Sequence, residues 1–329
     1  MKEVYNWGIL APGHIARKFA LELQEVNNAR IFAVGSNSID RASDFAAEFG
    51  AVNYYDNYEA LAADPEVDII YIASPHSYHL EHAKLCLNHR KAVLCEKALS
   101  INLKEVEEMF ACAAKNKVFM MEAFTSPQQP SYKEAKRLVD SGVLGKVKYI
   151  HGWFGFNKSP YELSSRLMNP DLGGGALLDI GLYPVFDILW FLGNPKKIIA
   201  SAEMSSTGVD QTTSIKFEYA DGAFASAFAS FFAASGVGTN IFCEKGSLRL
   251  KRSNAVDQWL EIDIPGEEIK SLSWDPSECG LKQEALEAMR CLDSGKLESD
   301  NMPHSMSLRL MKSLDQIRKE IGLIYPGRD

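Results

Sequence analysis

Residues 3–23 read EVYNWGILAPGHIARKFALEL, and this stretch predicts how the chain begins to fold. Its first half is an apolar run typical of a buried β-strand, and it ends in the turn Ala-Pro-Gly. Its second half places Ile15, Phe19 and Leu23 on one face of a helix. A strand, a short turn and a helix in this order predict the first unit of a parallel sheet with helices on its faces.

The same alternation continues to residue 124. Further apolar runs predict strands, and they read ARIFAVGS, VDIIYIASP, KAVLCEK and VFMMEAF. The segments between them have helical periodicity, and they read DRASDFAAEFG, LEHAKLCLNHR and NLKEVEEMFACAAKNK. Asn102 and Glu105 have the spacing of a capping box at the start of the last of these helices. The pattern predicts a doubly wound α/β Rossmann domain over residues 1–124.

The pattern changes in residues 125–329. A helix is expected to begin with Ser131 as its N-cap and to stop at Gly142. Longer strands with aromatic residues follow, and they read KVKYIHGWFGFN, KKIIASAEMSS, TTSIKFEYADG, AFASAFASFFA and GTNIFCEKGSLRLK. The last helix is amphipathic, with Leu308, Met311 and Leu314 on one side. We therefore expect a second α/β domain with a large, mostly antiparallel open sheet, which binds substrate and dimerises.

Composition and charge exclude several classes of protein. The formal net charge of −8 argues against a broad nucleic-acid surface. Residues 222–243 carry no charge and have the length of a membrane span, but their alternation of Ala with Phe or Ser predicts a strand of a soluble protein. The opening MKEVYNWGIL is too short and too mixed for a signal peptide. A cytoplasmic protein without a membrane partner is expected.

The cysteines and histidines do not have the spacing of a metal site. None of the six cysteines forms a CxxC pair, which predicts free thiols in a reducing compartment. His76, His79 and His82 are three residues apart, but no Cys or Asp with metal-ligand spacing accompanies them. We therefore predict that the protein binds no metal.

The turn after the first strand resembles a dinucleotide fingerprint. Ala11, Gly13 and Ala16 occupy the positions at which that fingerprint has Gly, Gly and Gly or Ala. The first position is a departure, whereas the strand before and the helix after provide the context for pyrophosphate at a helix N-terminus. The candidate cofactor-binding residues here are Gly8, Ala11, Pro12, Gly13, His14 and Ile15.

The end of the second strand predicts which dinucleotide binds. NAD-specific sites place an Asp or Glu there, whereas this chain has Ser36 and Asn37. The hydroxyls of Ser36 and Ser38, with Arg41 one helical turn later, are suited to a 2′-phosphate. The alternative is that Arg41 is only a solvated helix residue. We predict NADP(H) as the preferred cofactor, with NAD(H) as the alternative.

A polar pair interrupts the apolar stretch GGGALLDIGLYPVFDILWFLG at residues 173–193. Asp179 and Tyr183 are four residues apart, so on a helix they would share one face. A buried carboxylate is costly unless it is paired. The pair is therefore either a structural hydrogen bond or part of a site that carries out chemistry.

Several segments together resemble the Gfo/Idh/MocA oxidoreductase family. They read WGILAPGHIA, IASPHSYH, LCEKALS, MEAF and GGGALLDIGLYP, followed by SLRLMKSLDQIR near the end of the chain. The resemblance is closest to the branch of dimeric trans-1,2-dihydrodiol dehydrogenase and related sugar oxidoreductases. Two positions depart from the family pattern: Ala98 replaces the proline of Glu-Lys-Pro, a residue that favours a cis bond, and Pro127 replaces an arginine.

The resemblance implies a nicotinamide cofactor, a homodimer or higher oligomer through the C-terminal sheet, and specific site residues. It implies that Lys97 and Tyr183 are the catalytic pair, with Asp179 nearby; many members have His in place of Tyr183. It also implies that a group of residues lines the nicotinamide half of the site, namely Ser74, Pro75, His76, His79 and Glu96.

The residue chemistry supports the same assignment. Lys97 ends a strand at the carboxyl edge, where open α/β sheets bind ligands, although a plain ion pair with Glu96 is the alternative. Tyrosine has an unperturbed pKa of about 10, and a neighbouring ammonium lowers it. Tyr183 assisted by Lys97 therefore suits proton transfer during hydride transfer to a carbonyl.

The functional hypothesis is an NADP(H)-dependent dehydrogenase or reductase acting on a hydroxyl or carbonyl of a small sugar-like, diol or dicarbonyl substrate. The alternatives are a non-catalytic dinucleotide-binding regulator on the same fold and an NAD-dependent glycosidase. The candidate substrate-binding residues, beside Asp179 and Tyr183, are Phe154 and Arg166, with Trp153 and Phe156 as further candidates for which core packing is the alternative.

Overall fold

The computed structural model describes residues 2–157, 162–252 and 258–328. The chain divides into two compact units. The first contains Met1–Thr125 and Gly280–Ser307, and the second contains Ser126–Cys279 and Leu308–Asp329. The single predicted boundary near residue 124 therefore lies at the first crossing between the units, and residues 280–307 return to the first unit.

The strands, in chain order, are β1 (Tyr5–Leu10), β2 (Ala29–Gly35), β3 (Asn53–Tyr55), β4 (Ile69–Ile72), β5 (Ala92–Glu96), β6 (Met120–Ala123), β7 (Val147–Asn157), β8 (Lys197–Met204), β9 (Asp210–Glu218), β10 (Phe224–Ser230), β11 (Phe232–Cys243), β12 (Ser247–Arg252), β13 (Gln258–Asp263) and β14 (Lys270–Ser273). The α-helices are α1 (His14–Leu23), α2 (Ile39–Phe49), α3 (Tyr58–Ala63), α4 (His79–Asn88), α5 (Leu103–Asn116), α6 (Pro130–Asp140), α7 (Leu182–Leu192), α8 (Lys282–Asp293) and α9 (His304–Ile321). A π-helical turn over Leu177–Gly181 precedes α7, and short 3₁₀ turns lie at His76–Tyr78, Ser126–Gln128, Arg166–Met168, Pro170–Leu172 and Pro276–Glu278.

The first unit is built on a six-stranded parallel sheet with the order β3-β2-β1-β4-β5-β6. This is the strand order of a doubly wound dinucleotide-binding fold, which confirms the predicted fold class. The apolar strands β4 and β5 are buried along their whole length, as expected for central strands covered on both faces. The strand β3 and the helix α3 were not predicted, because three and six residues are too few to show a periodicity.

The second unit is built on an eight-stranded sheet with the order β14-β13-β12-β11-β7-β10-β9-β8. Neighbouring strands are antiparallel except for β7 and β10, which confirms the predicted mostly antiparallel sheet. The stretch GTNIFCEKGSLRLK is not one strand but the hairpin of β11 and β12, because the chain reverses at residues 244–246. Along β10, Ala225, Ala227 and Ala229 form the buried face, as the alternation predicts.

The prediction that Ser131 is the N-cap of α6 is wrong. The helix begins two residues earlier than predicted, at Pro130 with Gln129 as its N-cap, because proline fits the first position of a helix. The Ser131 hydroxyl instead donates to the side chain of Gln258. By contrast, Asn102 does cap α5, since its side chain accepts from the backbone N–H of Glu105 at 2.9 Å.

The apolar segment Pro170–Leu192 is the one described helical segment that is long and apolar enough to cross a membrane. However, 72% of the most apolar part of this segment is buried inside the protein, so it is a core helix of a soluble protein. Within it α7 packs on β7 and β10. The strand β7 and the helix α7 approach each other closely at Gly152, where an added Cβ would lie 2.9 Å from the Cβ of Pro184.

Candidate active site

The loop between β1 and α1 has the geometry of a phosphate-binding turn. Ala11 has a φ of 66°, so it adopts the left-handed conformation for which the fingerprint usually uses glycine. At Gly13 a Cβ would approach only the Ala11 carbonyl oxygen, at 4.0 Å, so the backbone is open to an incoming group. The first turn of α1 contains no acidic residue, and no described side chain caps it. Free N–H groups and a positive helix end fit a pyrophosphate.

The polar residues that follow β2 gather at the same carboxyl edge. Ser36 is buried, and its Oγ accepts from the backbone N–H of Ser38 at 3.2 Å. Arg41 donates to the side-chain oxygen of Asn37. Burial raises the pKa of Tyr58, while Arg41 and a backbone hydrogen bond with Asn37 lower it, so this hydroxyl lies beside them. The structure thus brings Asn37 and Arg41 together, and it adds Tyr58, which sequence reasoning missed.

Lys97 lies directly after β5, in a loop fixed by buried polar groups. The Lys97–Ala98 peptide bond is cis, so this chain has at alanine the bond geometry that proline favours. The backbone N–H of Lys97 donates to Glu96 Oε2 at 3.1 Å, and Glu96 also accepts from the Tyr71 hydroxyl. Glu96, the last residue of β5, therefore orients the loop through its carboxylate.

The residues implied to line the nicotinamide half occupy different depths. Ser74 and His76 are buried, and His79 has no exposed surface. The His79 ring contacts the carbonyl oxygens of Ser74 at 2.7 Å and Ala98 at 3.0 Å, so it ties the end of β4 to the Lys97 loop. Burial lowers the pKa of His79 to about 4. The buried His79 ring therefore supports the Lys97 loop from within the core.

Two buried carboxyl groups near Lys97 were not predicted. Glu122 Oε1 accepts from the backbone N–H of Leu99 at 3.1 Å. Burial raises its pKa to about 7, with the charge of Lys97 opposing the shift. Glu284 in α8 accepts from the Thr125 hydroxyl at 2.8 Å, and burial with the nearby Glu96 raises its pKa. No sequence pattern joins positions this far apart, because only the fold brings residues 280–307 into the first unit.

In the second unit, Asp179 and Tyr183 lie on either side of the junction between the π-helical turn and α7. Asp179 forms an ion pair with Arg166, whose Nη2 is 3.0 Å from Asp179 Oδ1. The ring of Tyr183 lies 5.6 Å from the ring of Phe154. The fold thus unites Arg166 with Asp179, and Phe154 with Tyr183. A π-helical turn was not predicted, and such turns are frequent at functional sites.

The third polar residue of this stretch, Asp187, is structural. It is 1% exposed and accepts from the hydroxyls of Tyr132, at 3.0 Å, and Thr239. These bonds tie α7 to α6 and β11. The apolar stretch therefore contains both a buried carboxylate that bonds neighbouring elements, Asp187, and a less buried one, Asp179.

The aromatic candidates of β7 divide between the two faces of the sheet. Phe154 lies on the face that α7 covers, and the neighbouring Phe156 contacts Phe231 with ring centroids 5.5 Å apart. Trp153 lies on the opposite face, where it stacks on His151 at 5.2 Å. Because side chains alternate along a strand, Trp153 points away from Tyr183 and does not belong to the same site.

Comparison with known proteins agrees with this geometry. Residues 5–124 match an oxidoreductase family with an NAD-binding Rossmann fold, and residues 132–249 match the GFO/IDH/MocA C-terminal domain. The protein is thus an oxidoreductase whose first unit is an NAD(P)-binding Rossmann domain. The chain belongs to the Gfo/Idh/MocA family.

Similar proteins cover the whole chain. Trans-1,2-dihydrobenzene-1,2-diol dehydrogenase of Xenopus laevis is 33% identical, over 98% of this chain and 99% of that protein. The NADP-dependent scyllo-inositol 2-dehydrogenase IolU of Bacillus subtilis is 30% identical, over 98% of both chains. Among solved structures, the 3-ketoreductase KijD10 of Actinomadura kijaniata, in complex with NADP and TDP-benzene, superposes with a TM-score of 0.86 at 24% identity, over 97% of this chain and 98% of that chain.

Proposed function

We propose that the protein is an NADP(H)-dependent dehydrogenase or reductase that acts on a CH–OH group of a small sugar-like or cyclic diol substrate. The first unit binds the dinucleotide, and the second binds the substrate. The observation that carries the proposal is the fixed loop that presents Lys97 at the carboxyl edge of a dinucleotide-binding sheet. The names of full-length relatives, a cyclic diol dehydrogenase and an inositol dehydrogenase, supply the substrate class.

Tyr183 is proposed as the group that gives or takes the substrate proton, and Lys97 as its assistant. A bound nicotinamide supplies the hydride chemistry. A phenol exchanges its proton slowly near neutrality because its ordinary pKa is about 10, and a nearby ammonium lowers that pKa. The ring of Phe154 beside Tyr183 restricts the phenol to few orientations and keeps water away from one side.

Asp179 and Arg166 are proposed to orient the substrate. Their ion pair is partly exposed, with 15% of the Asp179 side chain and 41% of the Arg166 side chain accessible. An exposed guanidinium held by a carboxylate can donate to a substrate hydroxyl without losing its partner. The residues that would hold the cofactor are those of the β1–α1 turn together with Asn37 and Arg41.

The test is a spectrophotometric assay with both cofactors. We expect reduction of NADP with trans-1,2-dihydrobenzene-1,2-diol, scyllo-inositol or another member of a panel of sugars and diols, and oxidation of NADPH with the matching carbonyl compounds. Tight cofactor binding without turnover on any panel member would contradict the enzyme assignment.

The first prediction concerns cofactor choice. Because β2 is followed by Asn37 and Arg41 rather than by an acidic residue, we expect NADPH to bind more tightly than NADH. Arg41→Ala should weaken NADPH binding by about tenfold or more, as expected for one lost charge-assisted contact, and leave NADH binding nearly unchanged. Fluorescence titration of both cofactors measures this. The exposed Lys115 at the far end of α5 gives the control Lys115→Ala, and tighter binding of NADH by the unmutated protein would refute the prediction.

The second prediction concerns association through the open face of the second sheet. Phe224, Tyr149 and Phe242 are 45%, 38% and 38% exposed on this face, which also holds a shallow cavity of about 380 Å³. Exposed apolar patches of this kind mark interfaces. We expect a homodimer or a higher oligomer by light scattering, and Phe224→Glu should shift it toward a monomer of 36.5 kDa. The control is Ile324→Lys, at an apolar position that is 66% exposed elsewhere in the second unit. A monomeric unmutated protein at micromolar concentration would exclude the interface.

A further inference from the structure

Asp210 is a buried carboxyl group at the start of β9 that the proposed chemistry does not use. It has no exposed surface. Its Oδ2 accepts from the backbone N–H of Leu177 at 2.8 Å and from the Thr213 hydroxyl at 2.6 Å. Leu177 is the first residue of the π-helical turn, so the carboxylate is hydrogen-bonded to the residue at which that turn begins.

The other oxygen of Asp210 lies against Gly175. Gly175 has a φ of 113°, and a Cβ there would collide with Asp210 Oδ1. A larger residue at position 175 would therefore displace the carboxyl group of Asp210. A residue at position 210 that cannot accept hydrogen bonds would leave the Leu177 N–H unsatisfied.

The segment that Asp210 holds carries the polar residues of the proposed site. The Gly175 carbonyl accepts from the backbone N–H of Asp179 at 3.3 Å, and the Gly175 N–H donates to the Leu167 carbonyl at 2.8 Å. Leu167 directly follows Arg166, the partner of Asp179. A shift at Gly175 is therefore transmitted to both members of the ion pair, and through the π-helical turn to the start of α7.

We propose that Asp210 is a positioning residue, whose carboxylate fixes the π-helical turn so that Asp179 and Tyr183 face the substrate in the reactive arrangement. The inference rests on the proposed role of Tyr183. It assigns to Asp210 no contact with substrate or cofactor, only the placement of residues that make such contacts.

The charge of Asp210 makes this placement sensitive to pH. Burial raises its pKa to about 6, and the bonds from Thr213 and Leu177 oppose the shift. The ionisable groups on the elements packed beside it are Asp179 on the turn, paired with Arg166, and Glu203 on the adjacent β8, whose side chain is exposed. On the C-terminal side, Arg318 lies 4.8 Å from the ring centre of Tyr325, whose hydroxyl binds the Gly174 carbonyl.

Activity and stability should respond to this charge in opposite directions. The pKa of Asp210 is higher in the folded protein than the value of about 3.9 in an unfolded chain, so protonation favours folding. Its contribution to stability is fully present below about pH 4 and is lost as the pH rises through about 6. The ionised form, which holds Leu177 and Thr213 most strongly, therefore costs stability at neutral pH while it supports turnover.

The experiment compares Asp210→Asn and Thr213→Val with the unmutated protein. Asp210→Asn keeps the shape but not the charge. We expect kcat to fall by about tenfold at neutral pH, from imperfect placement of reacting groups, and the decline of kcat below about pH 6 to disappear. NADPH binding should be unchanged. The melting temperature of the cofactor-free variant relative to the unmutated protein should rise between about pH 5 and pH 7.5.

The variant Thr213→Val tests whether Asp210 is the group whose protonation causes the decline of kcat at acid pH. Losing this hydroxyl removes a bond that lowers the pKa of Asp210, so the decline of kcat at acid pH should move to higher pH. Glu122, with a pKa of about 7, has no bond to Thr213, and a decline caused by Glu122 would not move.

Two results would overturn the proposal. One is an Asp210→Asn enzyme with unchanged kcat and an unchanged pH profile; the other is a loss of kcat accompanied by a lower melting temperature at every pH, which indicates a purely structural role. If Tyr183→Phe is fully active, the proposed function fails instead. The melting temperatures of Asp210→Asn and the unmutated protein across pH still show whether ionised Asp210 lowers the stability of the fold.

Discussion

The variant Tyr183→Phe should lose turnover while it keeps its fold. Phenylalanine retains the ring beside Phe154 but removes the hydroxyl that is proposed to exchange the substrate proton. Without general acid–base assistance we expect kcat to fall by about 10²–10⁴-fold. NADPH binding and the melting temperature should change little. Steady-state kinetics, fluorescence titration and thermal unfolding of the same preparation measure all three quantities.

The chain provides a matched control at a second buried tyrosine. The hydroxyl of Tyr132 donates to Asp187 within the second unit at 3.0 Å, and the side chain is 3% exposed. Tyr132→Phe should therefore lower stability by about 1 kcal/mol, the usual contribution of such a bond, with kcat nearly normal. If Tyr183→Phe behaves like Tyr132→Phe, with a lower melting temperature and normal kcat, the proposed mechanism is wrong.

The variant Lys97→Met should reduce kcat to a similar extent, by about 10²–10⁴-fold. Methionine fills similar space but removes the ammonium that is proposed to favour ionisation of the Tyr183 phenol. The residual activity should therefore rise toward higher pH, because the phenol then titrates closer to its ordinary value of about 10. A pH profile of kcat for both enzymes measures the shift. An unchanged profile in Lys97→Met would separate Lys97 from the proton-transfer step.

Lys91, at the opposite end of β5, is the control for this variant. It is 8% exposed, and its Nζ donates to the carbonyl oxygens of Asp64 at 2.5 Å and Val67 at 2.9 Å. Lys91→Met leaves those buried carbonyls without their donor, so we expect lower stability but an unchanged pH profile. That result would show that a buried lysine is not sufficient for the effect and that the position of Lys97 at the carboxyl edge is required.

The local patterns predicted most of the first unit. The helix α1 begins and ends where the spacing of Ile15, Phe19 and Leu23 predicts, because a strand and a helix each repeat over enough residues to show a period. Three elements of the first unit were not predicted: β3 and α3, which are short, and the helix α8 in the segment that returns to this unit. In the second unit the breaks between strands were harder to locate, because a hairpin turn such as residues 244–246 interrupts an apolar run without changing its composition.

The sequence by itself predicted the class of fold, the dinucleotide-binding turn and the polar pair Asp179 and Tyr183, because these depend on residue types at short, regular spacings. Lys97 and the catalytic role of Tyr183 became candidates through the resemblance to the Gfo/Idh/MocA family. Tertiary structure alone decided that Asp179 pairs with Arg166, that Trp153 lies on the opposite face from Tyr183, that Glu122 binds the Lys97 loop at Leu99, and that Glu284 binds Thr125. It also decided that Asp210 holds the π-helical turn. These contacts join segments far apart in the chain, where the energy of burying a polar group, rather than any local periodicity, selects the partner.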